Sequence, residues 1–264
     1  MAAGRDDSQK FCMIDLPSRP IVNPMILRNV TLAVTIIVIL IAVFAHAPIP
    51  QDPAYHAFAD RRTFLGIPNG LNVLSNLPFA VVGIFGLIVV RRRPTWPYLL
   101  FFVAAIVTAA GSAYYHLAPD NYRLVWDRLP MAIGFMALLT AVIAEHIGVE
   151  IARPLFVPLI LLGALSVFYW YWTDDLRSYI AVQFGSLLMI LLVLALYPAR
   201  YSGTAYLVAG LAAYGAAKWF EIADARIFDV GHVVSGHTLK HLFAAGGIAC
   251  VAAMLRGERA SRPQ

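Results

Sequence analysis

The chain carries two histidines four residues apart in Gly236-His237-Thr238-Leu239-Lys240-His241, at the start of an apolar run. Residues at i and i+4 share a helix face, and a His-x3-His pair is how one helix offers two nitrogens to one metal. A similar spacing separates Ser112 and His116 at the end of an earlier apolar run, and Asp127 follows in Trp126-Asp127-Arg128-Leu129-Pro130. Three histidines on one ion leave a fourth position for water, the open pattern of a catalytic zinc site. Zn2+ is therefore the cofactor expected at His116, His237 and His241. Asp127 and Ser112 are expected beside it for proton transfer and hydrogen bonding. Each residue also has a simpler reading: a lone histidine as an interfacial side chain, Asp127 as an acid favoured at a helix start, Ser112 as a small packing residue.

These residues need helices to bring them together, and the composition says what kind. Of 264 residues, 60% are hydrophobic and 13% charged, and the mean hydropathy is +0.72. Soluble domains are about half apolar and about one-quarter charged. This is the composition of an integral membrane protein, and it excludes intrinsic disorder. Cys12 and Cys250 form no spaced set, so neither a disulfide scaffold nor a cysteine-based metal site is expected. The net charge of +5 sits at segment ends, as in membrane proteins. The partners expected are the bilayer and a membrane lipid, not nucleic acid.

A spanning helix needs about 20 mostly apolar residues. Eight stretches qualify: 27–47, 71–90, 97–117, 129–148, 154–172, 178–197, 203–221 and 236–255. Runs such as 187–196 are apolar on every side, which excludes the alternating pattern of a membrane β-barrel. The fold expected is an all-α polytopic transmembrane bundle, a seven-helix core plus one extra N-terminal transmembrane helix. Its parts are a polar tail at 1–26, the extra helix at 27–47, the core at 60–255 and a basic tail at 256–264. Ala45-His46-Ala47 resembles a signal-peptide cleavage site, but Pro48 follows it directly, so the first helix is expected to stay as an anchor.

With eight passes, His116, Asp127 and the His237/His241 pair meet on one membrane side. Lys and Arg in the loops number twelve on the side of the termini. Seven lie on the other: Arg61, Arg62, Arg123, Arg128, Arg177, Lys218 and Arg226. The positive-inside rule then puts both termini in the cytoplasm and the site toward the opposite side. Other polar residues read more weakly. His46, His56, His146 and His232 have no partner at helical spacing and are expected at interfaces. Lys218 and Glu221 are expected to form a structural ion pair with Asp224 nearby. Asn72, Ser75 and Asn76 serve helix packing or flank the site. Asp174 and Asp175, after an aromatic run, suggest a solvated loop.

Taken together, Ser112, His116, an aspartate eleven residues later at Asp127, and the late His237/His241 pair resemble the alkaline ceramidases. Their superfamily includes the progestin and adiponectin receptors, seven-helix membrane proteins with an intramembrane zinc. The Asn72-x2-Ser75-Asn76 stretch resembles the start of the family's first core helix, and the resemblance spans about residues 60–255. It implies zinc-dependent hydrolysis of the amide bond of a ceramide-like N-acyl lipid, giving a fatty acid and a free sphingoid base or amine. In that reading His116, His237 and His241 hold the zinc, Asp127 is general base and acid, and Ser112 stabilises the oxyanion. The alternative is a zinc-containing seven-helix lipid receptor or binding protein with little turnover. The eukaryotic ceramidases carry an acidic calcium site before the first core helix, whereas residues 55–69 offer only Asp60 as an acid. Calcium regulation is therefore not expected to carry over. A transporter is disfavoured because no inverted repeat or paired broken helices appear.

Overall fold

The computed structural model describes residues 23–91, 95–197 and 203–260. The polar tail before residue 23, Cys12, Arg92, Arg93, Pro198, Arg200 and Arg262 lie outside the described residues. Among the described residues the chain is helical and has no strand. The helices are α1 (Pro24–Ala45), α2 (Gly70–Leu74), α3 (Leu77–Val90), α4 (Trp96–Leu117) and α5 (Asn121–His146), then α6 (Val149–Thr173), α7 (Arg177–Leu196), α8 (Thr204–Ile222), α9 (Asp224–Gly231) and α10 (Gly236–Ala260). Counting α2 and α3 as one span, seven of the described segments are long and apolar enough to cross a membrane.

The eighth predicted span, 203–221, forms α8 but is less apolar than the rest and is not among those seven. Lys218 and Glu221 in its last turns account for much of the difference. It nevertheless runs along α10 in the opposite direction. Gly210 lies against Gly247, Phe220 meets Phe243 with ring centroids 4.6 Å apart, and Glu221 pairs with Lys240.

Two other boundaries differ from expectation. The predicted span 71–90 is interrupted at Ser75-Asn76. Pro78, in the first turn of α3, has no N–H to continue the ladder. The Ser75 hydroxyl and the Asn76 amide instead donate back to the Asn72 carbonyl, at 3.0 and 2.8 Å. The predicted span 129–148 begins earlier, at Asn121, and runs through Pro130. Asp127 and Arg128 therefore lie within α5 and are buried. Arg128 is a buried charge and the partly exposed Lys218 lies within α8 on the cavity wall, so neither is a loop charge and both leave the seven counted on that side.

Packing among the described residues falls into two large adjoining clusters and a small one of Phe79, Ala109 and Ala245. One, around Phe102, Val142, Ile190, Val193 and Met254, sits away from the histidines. The second large one, around Phe58, Tyr115, Leu124, Trp170 and Tyr179, reaches them through Phe58 and Tyr115. Helix α1 buries none of its residues and touches α7. The segment after it is tied down by the residues expected to form a solvated loop. Asp174 accepts the Gln51 N–H at 3.0 Å, Asp175 accepts that of Ile49 at 3.3 Å, and Leu176 donates to the Ile49 carbonyl at 2.8 Å. Asp175 is buried and ion-paired with Arg177 at 2.7 Å, while Arg177 also donates to the Val43 carbonyl at 2.9 Å. The Arg177 guanidinium holds the Asp175 carboxyl down at a pKa of about 2.

Candidate metal centre

His116 occupies the last turn of α4, and His237 and His241 the first two turns of α10. Two close approaches make that meeting possible. A Cβ on Gly111 would come within 2.0 Å of the Trp126 carbonyl oxygen, and one on Gly236 within 2.2 Å of the Phe220 carbonyl oxygen. Glycine at these points lets α4 touch α5, and the start of α10 touch the end of α8. Asp224 then fixes the α10 terminus, its Oδ1 accepting the His237 N–H at 2.7 Å while its Oδ2 accepts that of Ala59 at 3.0 Å. It takes no part in the Lys218–Glu221 ion pair, which forms as expected.

The three imidazoles are 0%, 4% and 3% exposed, and one ligand nitrogen from each lies within 4.8 Å of the others. Phe58 covers the rings of His116 and His237 at centroid distances of 4.7 and 4.6 Å, and Phe79 lies 6.1 Å from His241. The group could hold a metal ion. Nε2 of His116 and Nε2 of His237 stand 3.3 Å apart. Two nitrogens bound at about 2.0–2.1 Å to one tetrahedral ion lie about 3.3–3.4 Å from each other. His116 Nδ1 is buried without a hydrogen-bond partner, so this ring has fewer polar partners than burial normally demands. The residues present fit an ion. Compared with known proteins, the chain matches no family model, no curated protein and no solved structure.

A further residue orients the ligands. Ser75 Oγ lies 2.7 Å from His241 Nδ1 and donates its own proton to the Asn72 carbonyl. The hydroxyl has one hydrogen, so it accepts from Nδ1–H and leaves the Nε2 lone pair free for a metal. Asn72 accepts the Thr238 hydroxyl at 3.2 Å and donates to the Asp60 carbonyl at 3.0 Å. Asn69 donates to the His116 carbonyl at 2.9 Å. Of the two readings open for Asn72 and Ser75, flanking the site describes them better than packing alone. The Asp60 carboxylate is taken up by Arg62, whose hydrogen bonds hold its pKa below the usual carboxylate range.

Asp127 and Ser112 interact side chain to side chain and line one cavity with His241. Asp127 is not part of the three-nitrogen cluster. The cavity has a volume of about 210 Å³. Its walls change character along each helix. On α4 they run from Ser112 through Thr108, Ala105 and Ala104 to Phe101, eleven residues or about 16 Å. On α5 they run from Asp127 to Phe135, and on α10 from Lys240 to Ile248. One end is polar and adjoins the histidines, and the other is apolar.

Two polar-end residues, Lys240 and Arg128, escape the sequence reading, as does the second partner of Glu221. Glu221 pairs with Lys240 as well as with Lys218. Lys240 lies between His237 and His241, and its partner is on another helix. Arg128 is sandwiched over the rings of Tyr55, Trp170 and Tyr179 at 5.3, 4.2 and 4.8 Å. The neighbouring aromatics Trp170 and Tyr179 lie in segments legible only as membrane spans. Of the remaining histidines, His56 bonds Tyr115 and Asn121 at 2.9 and 3.0 Å. His146, expected at an interface, is buried near the end of α5.

Proposed function

We propose that this chain is a zinc-dependent intramembrane hydrolase of the alkaline ceramidase type, cleaving ceramide-like N-acyl lipids at the amide to a fatty acid and a sphingoid base or amine. The observation that carries the reading is the three-histidine cluster beside Asp127 and Ser112 at the polar end of an apolar cavity. His116, His237 and His241 hold the zinc. Zinc in such a site acidifies a coordinated water toward a pKa of about 7 and polarises a carbonyl oxygen.

Asp127, outside the ligand set, accepts the proton of the attacking water and returns it to the leaving amine. Ser112 donates a hydrogen bond to the oxygen that gains charge as the carbonyl is attacked. Ser75 keeps the His241 ring in the tautomer that a metal needs. Ala104, Ala105 and Gly134 leave room for the acyl chain, and Phe101, Phe135 and Ile248 close the far end. Burial excludes bulk water from the reacting amide, which strengthens each of these electrostatic contacts. The deciding experiment measures zinc content and ceramide turnover together for wild type and His237→Ala. About one zinc per chain with fatty acid release in wild type, both lost in the variant, supports the proposal. Turnover unchanged in His237→Ala overturns it.

A further inference from the structure

The polar end of the cavity carries unequal charge. Lys218, Lys240 and Arg128 line it together with Glu221 and Asp127, three cations against two carboxylates. Glu221 is shared by both lysines, and Asp127, which interacts with Ser112, also lies within electrostatic reach of Lys240 and Arg128 without forming an ion pair with either. Arg128, 5% exposed, forms none of the ion pairs found among the described residues. Its Nη1 is buried without a hydrogen-bond partner. The three aromatic faces around it attract the cation but leave that donor unused, and a guanidinium cannot shed its charge. A buried cation in excess, its guanidinium lining the cavity and one of its donors without a partner, calls for an anion.

We infer that the cavity binds a lipid bearing one carboxylate-class anion, held by the Arg128 guanidinium and the Lys218–Lys240 pair, with its chain running toward Phe101 and Ile248. The inference rests on the reading of this cavity as the lipid site and narrows its substrate class. The anion has two possible sources: the amine half of an N-acyl substrate, or the free fatty acid that hydrolysis releases. Full-length protein in a neutral detergent is titrated with three probes of equal chain type that lack an amide: hexadecyloxyacetate, hexadecanoate and the uncharged hexadecyloxyethanol. At least one acid is expected to bind about tenfold or more tightly than the alcohol, the advantage a charge-assisted hydrogen bond supplies.

Arg128→Gln leaves the three histidines in place and should erase that advantage, which separates it from attraction to a metal. Lys218→Met, at a side chain 29% exposed, should reduce it and serves alone if Arg128→Gln does not fold. Tighter binding of hexadecyloxyacetate assigns the anion to the amine half, and tighter binding of hexadecanoate assigns it to the product. Equal affinity of wild type for acid and alcohol overturns the inference. So does a preference that survives in every variant that folds. No turnover enters this readout, so failure of ceramide hydrolysis leaves it standing. Hydrolysis without any anion preference removes this inference alone.

Discussion

The hydrogen bond from His241 Nδ1 to Ser75 Oγ, 2.7 Å long, decides which nitrogen of that ring is available. Removing it frees the tautomer and the ring orientation. Ser75→Ala should weaken zinc binding by about 10- to 100-fold, the usual effect of losing such an orienting partner. Competition with a chromogenic chelator measures this directly. Asp127 acts differently if it moves protons. Asp127→Asn should keep the zinc and the fold while hydrolysis falls by about 10²–10⁴-fold. A structural acid would instead lower the melting temperature with activity per folded molecule nearly intact, so both are read on one preparation. The histidines are legible in the sequence because a four-residue spacing has a geometric meaning on any helix. Ser75 has no such mark: its partner lies 166 residues away, and a small polar residue in a membrane helix reads equally well as packing.

At the scale of elements, the link between α1 and the rest of the bundle depends on the α6–α7 turn. Asp175 receives the Ile49 N–H and the Arg177 guanidinium, and its carboxyl is held down at about 2. A carboxyl depressed in the folded state contributes stability above its unfolded pKa of about 3.9, and that contribution is lost as pH falls through the folded value. Asp175→Asn should therefore lower the melting temperature at neutral pH, with the difference from wild type closing between about pH 4 and pH 2. A difference that stays constant across this range would detach the effect from the ion pair. Helix existence follows from hydropathy for every predicted span, but boundaries at prolines do not. Pro130 looks like the opening of a helix, yet α5 begins nine residues before it. That misplacement is what makes Arg128 resemble a loop charge. The Ser75-Asn76 break is hidden for the opposite reason, because the residues around it are as apolar as an unbroken span.

Across the whole molecule, short connections alternate the helix directions and put the ends of α4, α6 and α8 at the level of the histidines. Trp126, Trp172 and Trp219 are exposed at that level, and Trp96 is exposed at the other, as expected for side chains at the two membrane interfaces. With Arg128 and Lys218 lining the cavity, five of the seven basic residues counted on the histidine side remain, in loops or in first helical turns or the short α9, which widens the asymmetry against the twelve. We propose on that ground that the termini are cytoplasmic and the metal centre faces away. Val230, 89% exposed on α9, provides the test. In a background lacking Cys12 and Cys250, Val230→Cys should react with an impermeant thiol reagent on intact cells. Reaction only after lysis would reverse the orientation.

The distance along the chain between the ligands has a consequence for biosynthesis. His116 and His237 are 121 residues apart, and α10 follows every other described helix. At about 5–20 residues per second, ribosomal synthesis of that interval takes about 6–24 s. During it, the nascent chain offers a single imidazole of the three. On the proposed reading, metal loading would be a late event, following only once α10 has packed against α3 and α8. A chain arrested before α10 would be left metal-free, with the first ligand waiting beneath Phe58.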